Sequence, residues 1–281
     1  MSVKIITDSG SDTGLIKDAG LETVPLTVRF GEEEFQDNVD LSHRAFYERL
    51  VESDVLPQTS QPSPALFEDA IQRGLADHDE VLLVLISSKL SGTYQAARLA
   101  AQEFENVWLV DSENVAVGEK ILVQLALKLA RSGRSAAEIA AVLEEKKKDV
   151  RLVALLDTLE YLKKGGRISG AVAFAGGVLN IKPVVAVRNG LVELIGKARG
   201  SRKGNNLLVQ EVEKAGGIDF DLPWELGYTG LDTSLIEKYI QDSKEVLGYE
   251  NLDISYSTVG GAIGTHAGPG AVAVAFFAKD H

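Results

Sequence analysis

The sequence predicts an α/β fold in two parts, and three observations carry that reading. Short apolar runs alternate with helical patterns as far as residue 150, the pattern of a parallel sheet with helices on both faces. Beyond that point hairpin signals mix with helices, which suits an α+β region with a mixed or antiparallel sheet. The chain has 281 residues, 45% hydrophobic and 25% charged, enough to build two modest cores. The expected division is 1–150 and 151–281, at Asp149-Val150.

Residues 3–7 form the first strand, ending in the polar turn Asp8-Ser9-Gly10-Ser11-Asp12. An aspartyl-phosphate phosphatase would need an acid two residues after Asp8, and Gly10 stands there, so Asp8 and Ser9 read as turn caps. Residues 24–30 alternate as a second strand, with a hairpin turn from Gly31 into a partner. A helix over 41–50 is capped by Ser42, with His43 on its surface. Residues 58–64, QTSQPSP, read as a rigid hydroxyl-rich loop, and Ser63 caps the helix that Pro64 opens.

The apolar run 81–86 is a buried strand that breaks into a hydroxyl-rich turn. Ser87, Ser88, Ser91 and Thr93 surround Gly92, and Tyr94, Ala97, Ala101 and Phe104 then share one helix face. The N–H groups at a helix start lack internal partners and its dipole is positive there, so this turn suits an anion. Helix capping by the same serines is the competing reading.

A strand over 106–110 ends at Asp111-Ser112, followed by helices over 117–131 and 136–148. The run Lys146-Lys147-Lys148 reads as a solvated helix end. In the second part, 151–155 is a strand and 159–164 a helix stopped by Gly165-Gly166, with Arg167 next. Residues 170–179 form a small, apolar helix. Strands 181–187 and 191–196 make a hairpin across Arg188-Asn189-Gly190, and Lys197, Arg199, Arg202 and Lys203 cluster beyond it. Helices over 205–215 and 233–247 and strands near 224–228 and 253–259 complete this part. Five glycines in 260–270 surround His266, and they read as a loop that holds His266 where a helix does not. No Lys-Ser/Thr follows, so this is not a phosphate loop.

The net charge of −12 works against binding nucleic acid or anionic surfaces, and no basic recognition helix supports a DNA-binding regulator. Without cysteine there is no disulfide and no thiolate zinc site. Histidines 43, 78, 266 and 281 are scattered, so no metal is expected. The start MSVKIITDSG has no basic-then-apolar leader and no apolar run suits a membrane span, so a soluble, cytoplasmic protein is expected.

The segments TDS, TSQPS, ISSKLSGTYQ, DTLEYLKKGGRI, LNIKP and IGTHAGPGA follow one another across the chain. In this order they resemble the DegV family, fatty acid-binding proteins that partner a bacterial fatty acid kinase. The resemblance implies two α/β domains with one long-chain fatty acid, such as palmitate, stearate or oleate, in a tunnel between them. It implies no cofactor, no stable membrane insertion and no catalysis by the carrier. The kinase phosphorylates the carboxylate, and the acyl-phosphate passes to an acyltransferase for phospholipid synthesis. Thr59 and Ser91 match the hydroxyls that hold the carboxylate, with Gly92 in the same turn. Ser88 competes with Ser91, which is preferred from its place at the helix start. His266 lies beside the head group by the same likeness, and Arg167 and Arg199 resemble residues for kinase docking and phosphate handling. Ser201 separates Gly200 from Arg202, so Arg202 competes for the Arg199 role.

Tail burial at ~0.8 kcal/mol per methylene gives on the order of 11 kcal/mol for about fourteen methylenes before binding costs. Hydrogen bonds to a charged head add about 1.5–3 kcal/mol each, so the tail sets affinity and the hydroxyls set orientation. The alternative is a serine-dependent acyl-ester hydrolase with Ser91 as nucleophile, His266 as base and Asp8 or Asp111 orienting it. Against it, Lys89-Leu90-Ser91-Gly92-Thr93 is no GxSxG elbow.

Overall fold

Ile5 and Ile6 are neighbours on one strand, so their side chains leave opposite faces, yet neither is exposed. Their strand, β1 (Val3–Asp8), therefore needs cover on both sides. The computed structural model describes residues 2–14, 16–168, 181–249, 254 and 256–279. In it β1 lies with β2 (Leu21–Val24), β6 (Glu80–Leu85) and β7 (Val107–Asp111) in a parallel sheet ordered β2-β1-β6-β7. Helices α2 (Pro64–Asp77) and α3 (Thr93–Ala101) cover the face of Ile6, Leu83 and Leu85. The opposite face, with Ile5, Leu82 and Val84, packs on α4 (Val117–Arg131) and α5 (Ala136–Lys146).

A second sheet of six strands runs β10-β9-β8-β13-β11-β12. Its members are β8 (Val150–Leu155), β9 (Ile181–Arg188), β10 (Leu191–Arg199), β11 (Glu225–Tyr228), β12 (Tyr256–Thr258) and β13 (Val272–Phe277). Every pairing is antiparallel except β11 with β12, so the sheet is mixed. Helices α7 (Ser201–Lys214) and α8 (Ser234–Leu247) cover its outer face, while Leu152, Val185, Val187 and Phe277 join the core of α4. The expected α/β class, a parallel first sheet and a mixed second one, is what the chain adopts.

Helix α4 thus lies between the sheets, and two adjacent buried ionisable side chains fasten it to both. Glu119 accepts a hydrogen bond from Thr7 Oγ1 on β1 at 3.2 Å. Lys120 Nζ reaches Glu225 Oε1 on β11 at 3.1 Å and Ser257 Oγ on β12 at 2.5 Å. Successive helical positions point about 100° apart, which lets one helix face two sheets.

A small antiparallel sheet, β4-β3-β5, stands beside these layers, built from β3 (Thr27–Phe30), β4 (Glu33–Gln36) and β5 (Gln58–Ser60). Against it pack α1 (His43–Glu52) and α9 (Gly261–Ala267), and α6 (Glu160–Lys164) lies next to α9.

Several expectations are corrected. The strand read at 24–30 is two strands in different sheets: Pro25 cannot donate to a ladder, and Leu26 N turns to Ser9 Oγ at 3.0 Å. The loop at 58–64 opens as β5, because its backbone pairs with β3. His43 is not a surface residue; its side chain is 12% exposed, with Nε2 4.0 Å from Asp12 Oδ1. The glycine-rich segment is not a loop, since His266 sits on α9. Its glycines serve close packing: a Cβ on Gly264 would lie 2.6 Å from Tyr47 Oη and 2.7 Å from the Phe46 ring. Phe104 falls beyond the end of α3, α5 stops at Lys146 in a 3₁₀ turn, and α7 starts earlier than 205. Strand β13 was not anticipated, although Val272-Ala273-Val274-Ala275-Phe276-Phe277 is an unbroken apolar run. The helix read at 170–179 lies outside the described residues, as does part of the strand read at 253–259.

Candidate functional site

Small side chains on the inner face of the second sheet leave room for a cavity. Register places Gly227, Ala273, Ala154 and Val185 side by side across β11, β13, β8 and β9. Opposite them stand Ile86, Val115, Ala116, Val259 and Ile263, and the space between measures about 380 Å³. That volume is typical of small-molecule sites, and most of its wall is aliphatic.

Among the described residues the polar part of the lining comes from five segments: Thr59, Ser60 and Gln61; Ser91 and Gly92; Arg167; His266; and Tyr228 and Thr229 at the end of β11. Thr59 is held by the pairing of β5 with β3. Ser91 is set by its N–H, which donates to Ser87 O at 3.1 Å, and its Oγ lies 2.8 Å from Thr93 Oγ1. It also accepts from Thr93 N at 3.3 Å, a weak cap, while Gly92 at the N-cap position offers none. With Thr93 as donor to Ser91, the serine O–H is free to face a ligand.

His266 Nε2 is 2.9 Å from Thr59 Oγ1, and Nδ1 is buried without a partner. A proton on Nδ1 would be a buried, unsatisfied donor, so the cheaper tautomer carries it on Nε2 and donates to Thr59. The Thr59 O–H is then free to point into the cavity. Burial, and secondarily the charge of Arg167, lowers the His266 pKa to about 4, so the ring is neutral at pH 7. Gly165 is required here, since a Cβ would lie 2.1 Å from His266 Nδ1.

Arg167 Nε donates to Leu90 O at 3.2 Å and its Nη1 to Gly165 O at 2.6 Å. It therefore links the serine turn to the end of α6 while its side chain stays exposed. Thr59, Ser91, Gly92, His266 and Arg167 are brought together at one cavity. Ser88 is not: it is exposed, and its N–H donates to Asp111 Oδ1 at 3.2 Å. Arg199, the last residue of β10, and Arg202, in the first turn of α7, are exposed and do not line the cavity.

No serine–histidine–aspartate relay is assembled among the described residues. Ser91 bonds to Thr93, His266 to Thr59, and Asp8 accepts from Gly10 N and Ile86 N at 2.9 Å each. Asp111 is engaged by Ser88 N and Glu113 N. Asp8 instead ties the end of β1 to cavity residue Ile86.

Sequence reading missed several contributors. Gln61 packs so tightly on Gly92 that a Cβ there would lie 1.8 Å from Gln61 Oε1. The TSQPS segment contained it, but nothing local shows which way an exposed-loop glutamine points. Ala271 and Ala273 were missed with β13, and their signal was the apolar run itself.

A mostly aliphatic cavity between two sheets, with the hydroxyls of Thr59 and Ser91, the His266 imidazole and the Arg167 guanidinium among its lining, defines an α/β protein shaped for a small amphipathic molecule. The chain belongs to the DegV family: the model of that family, described as an uncharacterised protein of the DegV family, matches residues 2–279. It is 39% identical over 282 residues to a DegV domain-containing protein of Deinococcus radiodurans, covering 98% of each chain. Among solved structures, a DegV family protein from Thermus thermophilus, described by its fatty acid binding, is similar with a TM-score of 0.87. The two are 32% identical, and the match covers 99% of this chain and 100% of that one. A fatty acid kinase B3 protein from Streptococcus pneumoniae, solved loaded with linoleic acid, shares the fold at TM-score 0.86 and 24% identity, over 99% and 100% of the two chains.

Proposed function

We propose that this protein holds one long-chain fatty acid in the cavity between its sheets and presents the carboxylate to a kinase. The observation that carries the reading is a mostly aliphatic cavity in which Thr59, Ser91, His266 and Arg167 also line the wall, so that the Thr59 and Ser91 hydroxyls can be turned to a carboxylate. Hydroxyl donors suit a carrier. They orient an anion through charge-assisted hydrogen bonds, while the cationic side chain nearby, Arg167, is solvent-exposed and engaged with Leu90 O and Gly165 O. On this reading residues 1–150 supply the hydroxyls, 151–281 supply the sheet that floors the tail, and the protein itself makes or breaks no bond.

Arg167 both lines the cavity and is exposed to solvent, which supports a role for it in meeting a transferred phosphate. Arg199 and Arg202, exposed and not lining the cavity, are assigned to the kinase-docking surface. An acyltransferase would be the next consumer of the acyl-phosphate, since that anhydride reacts by acyl transfer.

The first test is mass spectrometry of an organic extract of the purified protein, which should yield long-chain fatty acid in stoichiometric amount. An empty extract, followed by no binding of added palmitate or oleate, refutes the proposal. With the kinase, Ser91→Ala should lower acyl-phosphate formation about ten- to a hundredfold, the worth of one hydrogen bond to a charged group. Turnover of simple acyl esters by the protein alone would favour the hydrolase instead.

A further inference from the structure

A second space lies directly behind the cavity. It is a polar groove of about 720 Å³ lined by Glu113, Asn114, Lys147, Arg151, Arg188 and Asn189 among others. The cavity and the groove share Leu152, Ala186 and Val187 as lining, so over this stretch the paired strands β8 and β9 border both spaces. The same division runs through the chain before α4: Asn114 faces the groove, while Val115 and Ala116 face the cavity. None of Thr59, Ser91, Arg167 or His266 lines the groove, so the shared wall belongs to the aliphatic part of the cavity.

The wall is a built feature. Leu152 and Val187 are direct cross-strand partners on β8 and β9, and Val187 is also paired with Val192 on β10. Both are nearly buried, at 6% and 9% exposure. Leu152 is wedged against α4 at Gly118, where an added Cβ would lie 3.2 Å from Leu152 Cβ. Ala116 adopts a φ of +51°, a strained conformation for a residue with a Cβ, at the point where the chain turns into α4.

We propose that the Leu152–Val187 pair is a specificity-determining partition that limits the length and bulk of the acyl chain the cavity accepts. The inference rests on the fatty acid reading above. A truncation in a closed core leaves a void that surrounding atoms partly refill. Here the far side of the wall is open groove, so truncation connects two spaces and makes room for more chain. Leu152→Ala vacates space for about three carbon atoms, and each methylene that finds new cover gains about fourfold in binding.

The test is competition among saturated acids from lauric to behenic for the delipidated wild type, Leu152→Ala and Val187→Ala. The variants should move the preference to longer acids, with an acid two carbons beyond the wild-type optimum gaining about fifteenfold. Val187→Ala removes less volume and decides the matter if Leu152→Ala fails to unfold cooperatively. A wild type that binds while the folded variants keep its chain-length profile overturns the partition alone. A wild type that binds no acid in the series overturns the fatty acid reading and the partition with it.

Discussion

Thr59 and His266 form a pair in which each decides what the other can do. The imidazole, neutral and protonated on Nε2, occupies the Thr59 oxygen as acceptor and leaves its hydrogen for a carboxylate. Thr59→Val keeps the branched shape of a strand residue and removes both roles. We expect fatty acid affinity to fall about ten- to a hundredfold, read by titration of delipidated protein, and stability to fall by about 1–3 kcal/mol in denaturant unfolding, because the His266 Nε2–H loses its buried acceptor. The histidine makes a separate prediction. Its pKa is lowered from 6.5 to about 4 because burial penalises the imidazolium, so NMR should find the ring neutral throughout pH 8 to 6. A midpoint near 6.5 would show that water reaches the ring.

Helix α9 is the element that carries His266 into place, and its sequence is shaped by what it must approach. Gly260 N donates to Asp12 Oδ1 at 2.6 Å and Gly261 N to Asp37 Oδ1 at 2.9 Å, so buried carboxylates hold its first turn. Tyr47 Oη donates to Val259 O at 2.9 Å just before it. Gly261 and Gly264 lie against Phe46 and Tyr47 of α1, with no space for a methyl group. Gly264→Ala should therefore cost about 1–3 kcal/mol in denaturant unfolding and weaken fatty acid binding as α9 shifts. An unchanged midpoint would mean that α1 and α9 can separate freely. Glycine spacing reads locally as a loop because glycine lowers helix propensity; here packing against two aromatic rings outweighs that preference.

At the scale of the molecule, the layers around α4 bury an unusual set of ionisable groups, with consequences for stability against pH. Desolvation raises the pKa of Asp8 and Asp37 from 3.8 to about 6 and lifts Asp12 and Glu119 well above their ordinary range. A raised carboxyl pKa favours the protonated form in the fold. The contribution is full below the unfolded pKa and is lost as pH rises through the folded one. Glu119→Gln removes that loss while keeping an oxygen for Thr7 Oγ1 to donate to. Its melting temperature relative to wild type should rise with pH above 4.5, the ordinary value for glutamate. A difference that stays flat with pH would place Glu119 in contact with water. His43, lowered from 6.5 to about 4 chiefly by desolvation, acts in the opposite direction, as does His266. Both stabilise the fold fully above pH 6.5, and that stability drains away as pH falls towards 4.

By itself the sequence determined whatever is local. The strands at 3–7 and 81–86, the helix Val117–Arg131, the caps at Ser42 and Ser63, and the Asn189-Gly190 hairpin were legible because periodicity, capping and turn chemistry act within a few residues. Ordered motifs also carried the family. Tertiary structure decided what depends on residues far apart in the chain. It split 24–30 between two sheets, turned the glycine-rich segment into α9, buried His43, and brought Thr59 within 2.9 Å of His266 across 207 positions. It also left Ser88 outside the cavity that Ser91 lines, three residues along the same turn. Side-chain direction at a turn, and the space left by small residues on facing sheets, are set by packing partners that local sequence does not contain.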